Sequence, residues 1–384
     1  MAFSFDPFDF AVHADPYPFY RALRDEHPVY WSEGARCFVL SRHADVIAAL
    51  NDVPRFSNSG GNVIDDSKAK LGRTVGSMDP PRHTAMRALV NDAFNRRQVA
   101  RERAFIDATV ERLTASLPAE FDLVREVTSP LAGAVMAHLL GVEGADLAEF
   151  KRLIDISMYR DPATRARTPE GEAAQAELLA ITARQVERRR AAPGEDMISA
   201  LLGMELEPES VVWMARAVFG AGFESTSSFL ANGALALMRH PEQALLLAAE
   251  PARLPDAIEE ILRYETPAQR FARTLTADAT MHGVTMPAGA KVLVMYGSAN
   301  RDERAFDAPE RFDITRKPAR HLGFGLGPHF CAGAALARMV GQVFFAAMAP
   351  RLARCVPLPG PLAWAHSPTF RSLTSLRVHQ TQAL

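Results

Sequence analysis

Cysteine is scarce in this 384-residue chain. Cys37, Cys331 and Cys355 are an odd number and stand far apart. That excludes a disulfide framework and points to a reducing compartment, the cytoplasm. No CxxC or HxxxH pattern occurs to supply the roughly four ligands of a zinc site. Neither GxGxxG nor a P-loop pattern is present to cradle a phosphate. No apolar run approaches the ~20 residues needed to span a bilayer. The start, Met1-Ala2-Phe3-Ser4-Phe5-Asp6-Pro7, lacks the basic-then-apolar form of a secretory signal. Lysine is rare too, five of the 43 basic residues. The arginines that dominate prefer bidentate carboxylate or phosphate partners. The net charge of -2 gives no general attraction to nucleic acid or to an anionic membrane. With no repeat, low-complexity segment or linker, residues 1–384 read as one large domain with a substantial core.

Helices dominate what is present. Asp79-Pro80-Pro81 opens a segment running through Phe94, with proline at a helix start. Residues 210–239 contain no proline and few charges. As one helix they would span roughly 45 Å, apolar nearly all round and therefore buried. A further helix runs from about Pro255 to Tyr264 and stops before Pro267. Short strands follow around 273–276, 281–284 and 291–295, with His282-Gly283 and Pro287-Ala288-Gly289 as turns. The expected class is mainly α with small β-sheets.

The most informative stretch runs from His321 to Gly333. Three glycines in five residues, Gly323, Gly325 and Gly327, allow positive φ and close backbone approach. Cys331 follows, at the N-terminal edge of a helix whose dipole and free N–H groups favour a thiolate. A lone buried cysteine is ordinarily a small hydrophobe, and zinc with His329 or His321 is a second possibility. A thiolate in such a loop, with no second cysteine near, also fits an axial ligand to a single iron.

Other groups have similarly divided readings. Glu260 and Arg263 lie one turn apart on one helix face, as a surface pair would. His83 and Arg87 share a face, and Arg273 begins a strand; each could be a surface charge. Gly220 and Gly222 sit in mid-helix at a cost of about 1 kcal/mol each. They serve either close helix packing or room for a ligand beside a local distortion. Glu224 is an acid on an apolar helix, which is uncommon without a partner or a purpose.

The segment Phe324-Gly325-x-Gly327-x-His329-x-Cys331-x-Gly333 resembles the haem-ligand signature of the cytochrome P450 family. The resemblance extends along nearly the whole chain, and its motifs occur in the family's order. It implies the P450 fold, with haem b held between the long central helix and the cysteine loop. Cys331 would be the iron ligand, Phe324 would shield its sulfur, and Gly333 and Ala221 would lie against the haem. His83, Arg87, Arg273 and His329 would grip the propionates. Glu260, Arg263 and Arg311, the last from Pro309-Glu310-Arg311-Phe312, would brace the loop. Glu224 and Ser225 resemble the family's acid–alcohol pair for proton delivery, with serine where threonine is usual. Serine keeps the hydroxyl but lacks the methyl that fixes the rotamer, so looser geometry and more wasted peroxide are expected.

The implied activity is insertion of one atom of O2 into a small organic substrate. The chain ends some fifty residues after Cys331, so electrons would come from a separate ferredoxin or flavodoxin-type donor. The basic cluster Arg96, Arg97, Arg101 and Arg103, at the end of the His83/Arg87 helix, is its candidate docking surface, with a solvated helix face the other reading, and a monomer is expected. A peroxide-dependent enzyme, a coupling or nitric-oxide-reducing variant, and a non-catalytic haem sensor or carrier are the alternatives. The expected pocket draws on Asn62, Val63, Ala217, Ala221, Ala268, Gln269 and Phe370. Gln269 and Arg270 hint at a polar or acidic handle on the substrate.

Overall fold

The computed structural model describes residues 3–317 and 320–381. Its centre is one helix, Pro208–Arg239, longer at its start than the 210–239 expected from sequence. Pro208 stands in its first turn with Glu209, and Arg239 closes the last turn, both matched to the helix dipole. At 32 residues it spans about 48 Å. From Phe223 onwards almost every residue but Ser225 is buried, so this half is sheathed on all sides.

The sheath has named parts. The helix Ser129–Leu140 runs along one side, and the roof helix Leu147–Met158 and the helix Pro169–Ala191 cover another. On the opposite side lie the helix Leu254–Tyr264 and the helix that follows the cysteine loop, Ala334–Leu352. Gly233 and Gly341 let these three approach. A Cβ at Gly233 would fall 2.6 Å from Ile261 and 2.7 Å from Phe345; one at Gly341 would fall 2.6 Å from Phe229. Overpacking of this kind costs about 1–3 kcal/mol. Gly233→Ala should therefore lower the unfolding free energy by that amount, read as a lower urea midpoint with an unchanged slope. An unshifted midpoint would show that the three helices can part at little cost.

The β structure is small and lies at one side. A five-stranded sheet runs in the order Val29–Ser32, Cys37–Leu40, Lys291–Val294, Phe271–Leu275, Phe56–Ser57. Only the pair Cys37–Leu40 and Lys291–Val294 is parallel. The expected strand near 281–284 is instead a hairpin, Ala279–Met281 against Val284–Met286. Its turn is His282 and Gly283, both at positive φ. This sheet brings Arg273 to the edge of the central helix bundle, and the segment before it, Pro267–Arg270, leads back to Leu254–Tyr264.

Candidate active site

The cysteine loop is shaped by its glycines. Gly325 and Gly327 hold φ of 69° and 71°, where a side chain is strained. A Cβ on Gly327 would also meet the Leu50 carbonyl at 2.9 Å. The loop closes on itself through Gly325 N–H to Leu322 O and Cys331 N–H to Phe324 O, both 2.9 Å. Cys331 stands three residues before Ala334–Leu352. Protein packs densely round it, yet its own surface is open, so the thiol faces an interior space. Burial pushes this thiol up; the Gly333 N–H and the cations Arg87 and Arg338 pull it down. Phe324 is buried between the loop and Arg338, whose guanidinium lies 4.5 Å over its ring.

Behind the loop is a buried clasp. Arg263 gives all five of its N–H groups. Nε and Nη2 reach the Glu260 carboxylate at 2.7 and 2.8 Å. Nη1 reaches the Asn300 and Pro309 carbonyls, both at 2.9 Å, and Nη2 also reaches the Arg311 carbonyl at 3.2 Å. Asn300 then accepts the Leu322 N–H at 2.7 Å on its side chain, which ties the clasp to the start of the loop.

Arg311 itself corrects the expectation. Its side chain is 70% exposed and pairs with Asp313; only its carbonyl joins the clasp. The second cation on Glu260 is Arg316, 3.3 Å from Oε2. A turn follows Phe312 and carries Arg316 back over the helix, while Arg311 faces out. Sequence reasoning also missed Glu259. It takes both Arg338 nitrogens at 2.6 and 2.8 Å and His321 at 3.0 Å. Burial would raise its carboxyl, but those hydrogen bonds hold it down at about 2.

His83, Arg87, Arg273 and His329 do come together. The His83 and His329 rings are 4.1 Å apart. Their Nε2 atoms are buried and have no partner. Burial, then His83, then Arg273 and Arg87 push His329 down to about 3. Arg87 donates to Asn91 and to the Phe330 carbonyl, and Arg273 to the Ala272 carbonyl and the Tyr296 hydroxyl. The one acid that acts on this group, Asp79, is committed to Ser57 and the Asn58 N–H. Two guanidinium groups and two unpartnered imidazoles thus share one region with no carboxylate of their own. Such a cradle fits the two carboxylates of a haem.

The opposite wall is the central helix. Ala221 is exposed in the middle of it, while Gly220, Phe223 and Glu224 beside it are buried. That surface opens inward, like Cys331. The expected local distortion is absent: the helix is continuous through Thr226. Ser225 donates its hydroxyl to the Ala221 carbonyl at 2.6 Å, one turn back on the same helix. At both glycines the space is taken by a side chain of the protein. Gly222 admits Met136, which a Cβ would meet at 2.3 Å, and Gly220 lies under the Arg216 guanidinium.

Glu224 is 1% exposed and has a partner the sequence did not reveal, Lys151 of the roof helix at 3.1 Å. Lys151 also binds Asp155. Burial works against its charge, but Glu224 and then Asp155 outweigh this and raise it. Of the expected pocket residues, Ala217, Ala221, Val63 and Phe370 are partly open, and Ala268 bridges to Phe370. Gln269 is a correction. It is 2% exposed, bonded to Tyr20 and the Thr266 carbonyl, and turned away from any ligand. Asn62 is held in its loop by Lys70 and by the Ala272 N–H.

The sequence profile described as Cytochrome P450 matches residues 253–351, the stretch that carries both clasp and cysteine loop. Cytochrome P450 monooxygenase PikC from Streptomyces venezuelae is 36% identical over 96% of this chain and 92% of its own. The chain is a cytochrome P450. The Vitamin D(3) 25-hydroxylase of Pseudonocardia autotrophica is 34% identical over 97% of this P450 and 96% of its own length. CYP109E1 from Bacillus megaterium, solved in complex with testosterone, superposes with a TM-score of 0.89 at 30% identity, over 97% of this chain and 99% of that one. The protein is therefore a P450 monooxygenase of the bacterial type, and the family implies a haem cofactor, O2, a substrate and a source of electrons. Among the described residues no helix is long and apolar enough to cross a membrane.

Proposed function

We propose that residues 1–384 form one haem b domain in which Cys331 ligates the iron and Ala221 and Ser225 face the opposite side. The observation that carries this reading is the pairing of an inward-facing thiol with a cradle of two guanidinium groups and two imidazoles, whose nearby acid, Asp79, is already engaged by Ser57 and Asn58. Phe324 and the Gly333 N–H flank the sulfur, while His83, Arg87, Arg273 and His329 take the propionates. When bound, the haem supplies O2 activation, favoured by electron density from the thiolate. Glu260, Arg263 and Arg316 keep the loop in place. The test is the spectrum of dithionite-reduced protein with carbon monoxide. A strongly red-shifted Soret band is expected, and its absence from haem-containing protein would remove the thiolate ligand.

Ser225 presents its hydroxyl on the open face, and Glu224 holds a proton-exchanging carboxylate one residue away. Glu224 faces Lys151, about 100° round the helix from Ser225, so proton delivery from it involves release of that ion pair. Ser225→Ala should divert electrons to hydrogen peroxide, and Ser225→Thr should raise product formed per electron. Glu224→Gln should slow turnover by about 10²-fold with little change in KM, as loss of a proton-transfer group does. A variant set with unchanged coupling and unchanged kcat would favour the peroxide-dependent reading instead.

A ferredoxin or flavodoxin-type donor would dock at Arg96, Arg97, Arg101 and Arg103, all exposed. Arg103 is paired with Asp107 and Arg101 with Glu195, which leaves Arg96 and Arg97 as the freer charges. A cytoplasmic monomer suits this scheme. The two other thiols, Cys37 and Cys355, are buried and pushed up to about 12 and 11 by that burial, so they are inert spectators.

A further inference from the structure

Arg216 lies on the central helix, nine residues before Ser225. Its guanidinium is folded over Gly220, so close that a Cβ there would fall 2.1 Å from Nη1. On the other side is the Phe150 ring of the roof helix, 5.8 Å away. Among the described residues it makes no ion pair and no hydrogen bond, and its Nε is fully enclosed without a partner. The charge that acts on it is of like sign, Arg167, itself committed to the Ser157 carbonyl and Glu172. Burial and then Arg167 push Arg216 down to about 10, so it remains a cation at neutral pH.

Most other buried arginines here are paired with an acid; Arg273, which the haem reading assigns to the propionates, is not. Arg160 has Asp65, Arg263 has Glu260, Arg301 has Glu310, and Arg371 has Glu265. Arg270 also stands alone, but it lines a cavity of about 10 Å³ with His13, room for one water. Arg216 differs because it is not sealed. It keeps partial exposure beside Ala217 and Ala221, the residues that open inward. The roof helix neutralises Glu224 with Lys151 about two turns further along the central helix, yet places an uncharged ring at 150 beside Arg216. Glycine at 220 leaves the space the guanidinium occupies.

We propose that Arg216 binds an anionic group of the substrate, so that the pocket takes small carboxylic acids rather than neutral compounds. This rests on the monooxygenase reading of the site. Gly220 and Ser225 are five residues apart, a rise of roughly 7.5 Å, so the anion would lie more than a helical turn from Ser225, and oxidation is expected at a carbon remote from the carboxylate.

The experiment compares haem-loaded wild type, Arg216→Met and Arg216→Lys by optical titration. The probes are dodecanoate and 4-phenylbutanoate, each against its methyl ester. The wild type should bind at least one acid ten or more times tighter than its ester. Arg216→Met should lose that preference and Arg216→Lys should keep part of it. The carbon monoxide band should be the same in all three, which separates failure of this proposal from failure of the haem-thiolate reading. In thermal unfolding without ligand, Arg216→Met should be at least as stable as wild type, because it removes an uncompensated charge. Equal binding of acid and ester, no binding of either acid, an acid preference that survives in Arg216→Met, or a lower unfolding temperature for that variant would each overturn it.

Discussion

Arg263→Ala should destabilise the protein by about 3–5 kcal/mol, the cost of leaving one member of a buried ion pair alone. Total stabilities run at about 5–15 kcal/mol, so this loss takes much or all of the margin. The reasons are specific. Glu260 and Arg263 are each 2% exposed, and removal of the guanidinium strands a carboxylate together with three carbonyls, those of Asn300, Pro309 and Arg311. Arg316 remains on Glu260 at 3.3 Å, so some compensation persists. Arg263→Lys should not rescue, since three ammonium protons in a compact point cannot meet five separated acceptors. Arg311→Ala should be nearly silent, because the clasp uses only its backbone. Urea titration and soluble yield would check all three. A shift under about 1 kcal/mol for Arg263→Ala would show that water can stand in for the clasp.

Cys331→His should do the reverse, sparing the fold and removing the activity. The side chain of Cys331 takes one N–H, from Gly333, and otherwise faces the interior space. Denaturation should therefore shift by less than about 1 kcal/mol, the range of a single modest hydrogen bond. Haem uptake should persist through the cradle of His83, Arg87, Arg273 and His329. The carbon monoxide band should move away from its red-shifted position, since an imidazole does not donate electron density as a thiolate does. Oxygen insertion should fall to background. A variant with an unchanged band and retained turnover would sink Cys331 as the ligand.

Much of this site was legible because its parts are local in sequence. The glycines, His329 and Cys331 fall within eleven residues, and Glu260 with Arg263 within four. The mainly α class and the long helix also followed from the spacing of apolar residues and from an absence of proline. What was not legible depends on where chain segments far apart in sequence meet. Lys151 lies 73 positions before Glu224 and carries no local mark of its role. The choice between Arg311 and Arg316 turns on which way a loop leaves Phe312. Gln269 follows a bend where a one-residue change of direction decides between pocket and core. The Ser225 hydroxyl turns back onto the Ala221 carbonyl, a contact invisible in any periodicity.

The clasp also says something about how the protein acquires its shape. Arg263 reaches carbonyls 37, 46 and 48 positions away along the chain. Closing the first of these rings carries the main entropic cost, and that cost grows only with the logarithm of ring size. Once it is closed, the other two carbonyls lie nine and eleven residues further on, and their capture adds little extra cost. The second and third contacts are therefore cheap once the first has formed. The cysteine loop, tethered through Asn300, gains from that order of events: closing the clasp sets the start of the loop in register for a cofactor at little further cost.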